Sequence, residues 1–101
     1  MAYGILLEFD SSVGKTQYDA VNEKLGLDPA TGAGDWPAGL LSHITGDADD
    51  GTFIVSEVWS SRAAQDEFMQ AQLGAALADV GVPAPTKVRW VALIAHHTPN
   101  G

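Results

Sequence analysis

Residues 3–9, YGILLEF, alternate Tyr3, Ile5, Leu7 and Phe9 with Gly4, Leu6 and Glu8, and both sets are largely apolar. An extended segment sends successive side chains to opposite faces, so this pattern calls for cover on both sides of a strand. Residues 52–59 pose the same problem. Phe53, Val55, Glu57 and Trp59 fall on one face and Ile54, Ser56 and Val58 on the other. Any fold for this chain has to find a partner surface for two apolar strand faces.

The segments around these strands carry ordinary helix and turn signals. DSSVG, residues 10–14, breaks the first strand. Residues 15–25 read as a helix, with Tyr18, Val21 and Leu25 at i, i+3 and i+7 and Gly26 where a left-handed C-terminal cap is expected. GKT at 14–16 starts that helix. A phosphate loop would need glycine five positions before Gly14, where Phe9 stands. The Pro/Gly-rich loop LDPATGAGDWP, residues 27–37, holds one large apolar side chain, Trp36, and Pro37 takes the place of the third glycine of a dinucleotide fingerprint. Residues 38–46 form a predicted second strand with Leu41, His43 and Thr45 opposite Leu40, Ser42 and Ile44. GDADDG then turns the chain into the antiparallel third strand. Ser60 or Ser61 caps a second helix that runs to about Val80. Along it Ala64, Phe68, Ala71, Ala75 and Ala78 make one apolar stripe, and Met69, Leu73, Ala76 and Val80 a second. GVPAP ends this helix, and residues 86–95 are the last strand.

The order βαββαβ predicts one α+β domain over residues 1–101, with the ferredoxin-like topology of a four-stranded antiparallel sheet and two helices on one face. Four strands ~4.8 Å apart and ~20–25 Å long leave roughly 400–500 Å² of sheet on the other face. A patch of that order is seldom left to water. With Leu41, Phe53, Val55 and Trp59 expected there and no further segment to cover them, the expected cover is a second copy, giving a homodimer through the sheet face.

Composition narrows the partners. The net charge is −8 with only five Lys and Arg, which disfavours nucleic acid and anionic membrane. There is no cysteine, so disulfides, thiol nucleophiles and thiolate metal sites are excluded. MAYGILLEFD has no basic n-region, and its apolar run stops at Glu8, so a cytoplasmic location is expected. Asp47, Asp49 and Asp50 lack the distant Glu of a calcium loop and fit an exposed turn. His96 and His97, adjacent on a strand, point to opposite faces and with His43 make no complete zinc set. No metal or other cofactor is expected, and no Ser sits in a nucleophile elbow.

His43 and Glu57 are the candidate catalytic residues. They lie on paired strands, and an imidazole beside a carboxylate can take a proton from a phenol or an enolisable carbonyl. The structural alternative is that Glu57 pairs with His43 or Arg89 only to satisfy itself at a subunit contact. Trp59, Trp36, Phe53 and Arg89 are the candidate substrate-binding residues, with Trp36 as a lid over an apolar ligand.

The SEVWSSRAAQDEF strand-to-helix junction and the GLLSH second strand, within the βαββαβ order, resemble the dimeric α+β barrel proteins. DWPAGLLSH and VWSS bring the chain nearest the small bacterial antibiotic-biosynthesis-monooxygenase-like members. The resemblance implies a dimer with a cavity between sheet and helices, binding an aromatic or polyketide-like molecule and acting on it as a cofactor-free monooxygenase. The alternative is a non-catalytic dimeric binding or accessory protein. In that group the haem-degrading branch carries a Trp and a His on the second helix, and here residues 62–80 contain neither. Both branches of known activity use a cavity Asn, and the asparagines here lie on the first helix (Asn22) and in the tail (Asn100).

Overall fold

The computed structural model describes residues 2–97 and Pro99, so Asn100 lies outside the described residues. The elements are β1 (Tyr3–Phe9), α1 (Lys15–Leu25), β2 (Leu40–Asp47), β3 (Phe53–Trp59), α2 (Arg62–Phe68), a π-helical segment (Met69–Leu73), α3 (Gly74–Val80) and β4 (Lys87–Ala92). The strands form one sheet in the order β2-β3-β1-β4, and every pairing is antiparallel. This is the predicted α+β, ferredoxin-like arrangement. β4 ends at Ala92, so His96 and His97 lie beyond the strand rather than on it.

Local chemistry accounts for the boundaries. Gly14 precedes α1, and its N–H donates to Gln17 Oε1 over 2.9 Å. At the other end Gly26 takes the left-handed conformation at φ 73° and returns its N–H to the Glu23 carbonyl. Ser61 caps α2, its Oγ accepting the Ala64 N–H over 3.1 Å. The turn after β2 closes where the Ala48 N–H meets the Thr52 carbonyl over 2.8 Å.

The register decides which faces are buried. Ile5 pairs with Glu57, Leu7 with Val55 and Phe9 with Phe53, and partners on neighbouring strands share a face. Ile5, Leu7, Phe9, Val13, Phe53, Val55 and Trp59 form the buried core, with Tyr18, Leu40, Phe68 and Trp90 packed on it. Trp59 is fully buried. The outer face expected from the sequence therefore needs correcting, because Phe53, Val55 and Trp59 point under the helices. Leu6, Ile54 and Val58 occupy the opposite face, together with Ile44, which is 66 % exposed, and Val91, 48 % exposed. Both alternating sets of β3 are apolar, so period alone cannot tell them apart; the bulkier set went inside.

Two irregularities shift the remaining expectations. Between Leu40 and Ser42 the β2–β3 register slips by one residue. Leu41 is the surplus residue of a bulge and half-exposed, and it does not share the face of His43 and Thr45. In the second helical stretch the π-helical segment closes with the Gly74 N–H donating to the Met69 carbonyl. That wide turn holds one extra residue and rotates α3 relative to α2. Ala71, Ala75 and Ala78 consequently face outward, while Leu73, Ala76 and Leu77 turn in.

Gly39 immediately precedes β2 and lies beneath α2, where a Cβ would stand 2.5 Å from Ala64 Cβ and 3.1 Å from Ser60 Oγ. Gly39→Ala is expected to lower stability by about 1–3 kcal/mol through this overpacking. Denaturant unfolding measures it, and an unchanged midpoint would show that the contact is not tight.

Candidate functional site

Parity along β3 carries Glu57 into the layer between sheet and helices, beside Trp59 and opposite His43. The Glu57 side chain is 12 % exposed and that of His43 16 %, so both groups depend on protein partners. Those partners form a chain. The Trp59 indole N–H donates to Glu57 Oε1 over 3.0 Å. Glu57 Oε2 lies 2.7 Å from His43 Nδ1, and His43 Nε2 lies 2.5 Å from the Tyr18 hydroxyl. A carboxylate at Glu57 sets the directions: Nδ1–H donates to it, which leaves Nε2 to accept the Tyr18 O–H. Tyr18 also stacks on the imidazole, with ring centroids 5.9 Å apart and planes 9° from parallel.

An apolar cavity of about 90 Å³ lies beneath this chain. His43, Glu57, Tyr18, Phe53, Trp36 and Asn22 are among its lining residues. An open groove of about 490 Å³ adjoins it on the outside, walled by Pro29, Gly32, Leu41 and Thr45 among others. Tyr18, Trp36, Leu40 and His43 line both spaces. The cavity alone falls short of the ~300 Å³ at which drug-sized ligands are usually held.

Trp36 stands at this junction, its ring 5.7 Å from that of His43 and tilted by 53°. Its loop is internally tied. Asp28 accepts from Ala30 N and Thr31 Oγ1, and the Asp28 N–H donates to the Ala33 carbonyl over 2.9 Å. Those hydrogen bonds, from Thr31 first and Ala30 second, hold the Asp28 carboxyl below its usual pKa. Gly34, at φ 107°, has no room for a side chain, since a Cβ would fall 2.2 Å from the Gly26 carbonyl oxygen. The Trp36 indole N–H donates to Ala33 O over 3.1 Å, within the loop.

Of the candidates read from the sequence, the fold brings His43, Glu57, Trp36 and Phe53 to one cavity. Trp59 lies behind it, fully buried, where it holds the Glu57 carboxylate. Arg89 stands apart: it pairs with Leu6 on the opposite face of the sheet and is exposed, so it meets neither Glu57 nor the cavity. Tyr18 and Asn22 are not among the site residues expected from the sequence, yet both line the cavity. Their i, i+4 spacing is the available signal, because it sets them one above the other on a single face of α1. Among the described residues no group of three or more His, Asp or Glu is arranged to hold a metal ion. Likewise, no described helix is long and apolar enough to cross a membrane.

No family model matches the sequence, and no curated protein matches it. Solved structures do match the fold. A candidate antibiotic biosynthesis monooxygenase from Chloroflexus aurantiacus is 16 % identical with TM-score 0.64, the alignment covering 97 % of this chain and 98 % of that one. A monooxygenase of Streptomyces coelicolor, solved with nanaomycin D, is 18 % identical with TM-score 0.54 over 98 % and 91 %. The hydroxynitrile lyase of Passiflora edulis is 16 % identical with TM-score 0.50 over 97 % and 96 %. The fold is thus the antibiotic-biosynthesis-monooxygenase-like one that the resemblance implied. At these identities the likeness extends to the fold alone, and that fold serves more than one chemistry.

Burial of the Tyr18 hydroxyl pushes its pKa above 10.0; the nearby Asn22 amide opposes this, and the charges of Glu57 and Asp19 reinforce it. The folded protein therefore holds this proton more tightly than the unfolded chain. The resulting stability is present below pH 10 and lost as pH rises through the folded-state pKa. The margin of the parent protein over Tyr18→Phe is expected to shrink above about pH 10. Urea midpoints from pH 8 to 12 measure this, and a constant margin would contradict the effect of burial.

Proposed function

We propose that the protein binds a compact aromatic or polyketide-like molecule between its sheet and helices and oxygenates it without metal or flavin. The observation that carries this reading is the Tyr18–His43–Glu57–Trp59 chain, which ends at the wall shared by cavity and groove. Since His43 Nε2 already accepts the Tyr18 O–H, the phenolic proton of the substrate would pass to the Tyr18 oxygen as Tyr18 gives its own proton to His43, with Glu57 stabilising the imidazolium. The electron-rich phenolate then reduces dioxygen. One oxygen atom bonds to the ring carbon and becomes a carbonyl; the O–O bond breaks, and the second oxygen leaves as water with the two hydrogens lost by the phenol. The products are a quinone and water, so atoms and electrons balance. Phe53 supplies an apolar wall, and Trp36 would move aside to merge the two spaces around a larger ligand.

The small volume of the cavity favours a second reading, a non-catalytic dimer that binds a small apolar molecule. Both readings include a second copy on the face of Leu6, Ile44, Ile54, Val58 and Val91, whose exposed apolar surface supports pairing.

With phenols and dihydroxynaphthalenes as substrates, His43→Ala and Glu57→Gln are expected to lower kcat by about 10²–10⁴-fold, the range for general base catalysis. Oxygen uptake measures it. Unchanged turnover would end the proton-handling role, whereas ligand binding without turnover in the parent protein would select the second reading. Replacing outward side chains in Ile44→Glu/Val91→Lys is expected to convert dimer to monomer while leaving the circular dichroism spectrum unaltered. Sedimentation of the parent protein as a monomer at micromolar concentration would exclude pairing.

A further inference from the structure

We infer that Asn22 anchors an acceptor oxygen of the bound molecule, so that the site selects compact, largely apolar carbonyl compounds over hydrocarbons of the same shape. This inference rests on the ligand-binding reading above. Asn22 is only 8 % exposed, and its Nδ2 finds no hydrogen-bond partner among the described residues. A buried amide donor left in that state costs the protein its lost hydration. The Tyr18 hydroxyl is near enough for the amide to oppose the rise in its pKa, but it makes no hydrogen bond with Nδ2. Gln17 Oε1 already accepts the Gly14 N–H, and Tyr18, His43 and Glu57 bond to one another. A resident water needs two to four polar partners, and the rest of the lining, with Leu7, Val13, Val21 and Leu73, is apolar.

Position adds direction. Tyr18 faces both the groove and the cavity, whereas Asn22, one helical turn further on, lines the cavity alone. A molecule entering from the groove passes Tyr18, His43 and Trp36 before any part of it reaches Asn22. The part that arrives meets an N–H donor, which a carbonyl oxygen satisfies and a methyl group does not. Because the donor is only 8 % exposed and has no partner among the described residues, a hydrogen bond to it adds to affinity at little dehydration cost on the protein side.

Acetophenone and ethylbenzene, a ketone and its near-isosteric hydrocarbon, test the inference by calorimetry and by the side-chain amide resonance of Asn22. The parent protein should bind acetophenone about tenfold more tightly, the worth of one well-made hydrogen bond. The Asn22 amide signal should shift with acetophenone and stay in place with ethylbenzene. Asn22→Leu should erase the preference and melt at a higher temperature than the parent, because it removes the orphaned donor at similar volume. Equal affinities, or an unmoved amide signal on acetophenone binding, would overturn the anchor while leaving the apolar ligand site standing. A lower melting temperature for Asn22→Leu would assign Nδ2 a structural bond and likewise overturn it. Binding of neither compound would remove the ligand site and the anchor together.

Discussion

The two-residue period of β3 is the constraint on which the rest of this molecule depends. Once Phe53 is packed against Phe9 in the core, Val55, Glu57 and Trp59 must point the same way, and Ile54, Ser56 and Val58 the other. Core packing thereby carries a carboxylate into an apolar layer. The layer tolerates it because the neighbouring positions supply what the carboxylate lacks: Trp59 gives one N–H, and His43, directly across the strand pair, faces the other oxygen. Stability and site are therefore not separate designs here. The indole that fills the centre of the core also orients the acid that orients the imidazole.

The same parity defines the outer surface. Its strands present Ile44, Ile54, Val58 and Val91, all β-branched, with Lys87 and Arg89 along the β4 edge. The area argument for an uncovered apolar face thus holds with a different set of residues from the one the sequence pattern suggests. The helices cover the bulkier set, and the set left over is smaller yet still hydrophobic.

Element order, the caps at Gly26 and Ser61 and the hairpin turn are legible in the sequence because each depends on a local signal: a positive-φ glycine, a capping hydroxyl, a run of turn residues. That His43 meets either Glu57 or Trp59 across the hairpin is legible for the same reason, and the register of the folded pair selects Glu57. The features that escape a linear reading depend on the third dimension. Nothing local distinguishes the two faces of a strand that is apolar on both. The π-helical turn at Met69–Leu73 leaves no mark in a run of good helix formers, so a stripe through Ala71, Ala75 and Ala78 projects straight across it. In the sequence Tyr18 looks like one more core residue on α1, and Asn22 like a solvated one. Charge suggests that Arg89 pairs with Glu57, but the pleat puts them on opposite sides of the sheet.

The bulge at Leu41 has a further effect. In an unbroken strand, positions 40 and 43 would project to opposite sides, because they are an odd number of steps apart. The surplus residue cancels that offset, so Leu40 and His43 both look toward the helices. Without it Leu40 would turn to the outer surface and leave the wall that it forms with Tyr18, Trp36 and His43 between the two spaces.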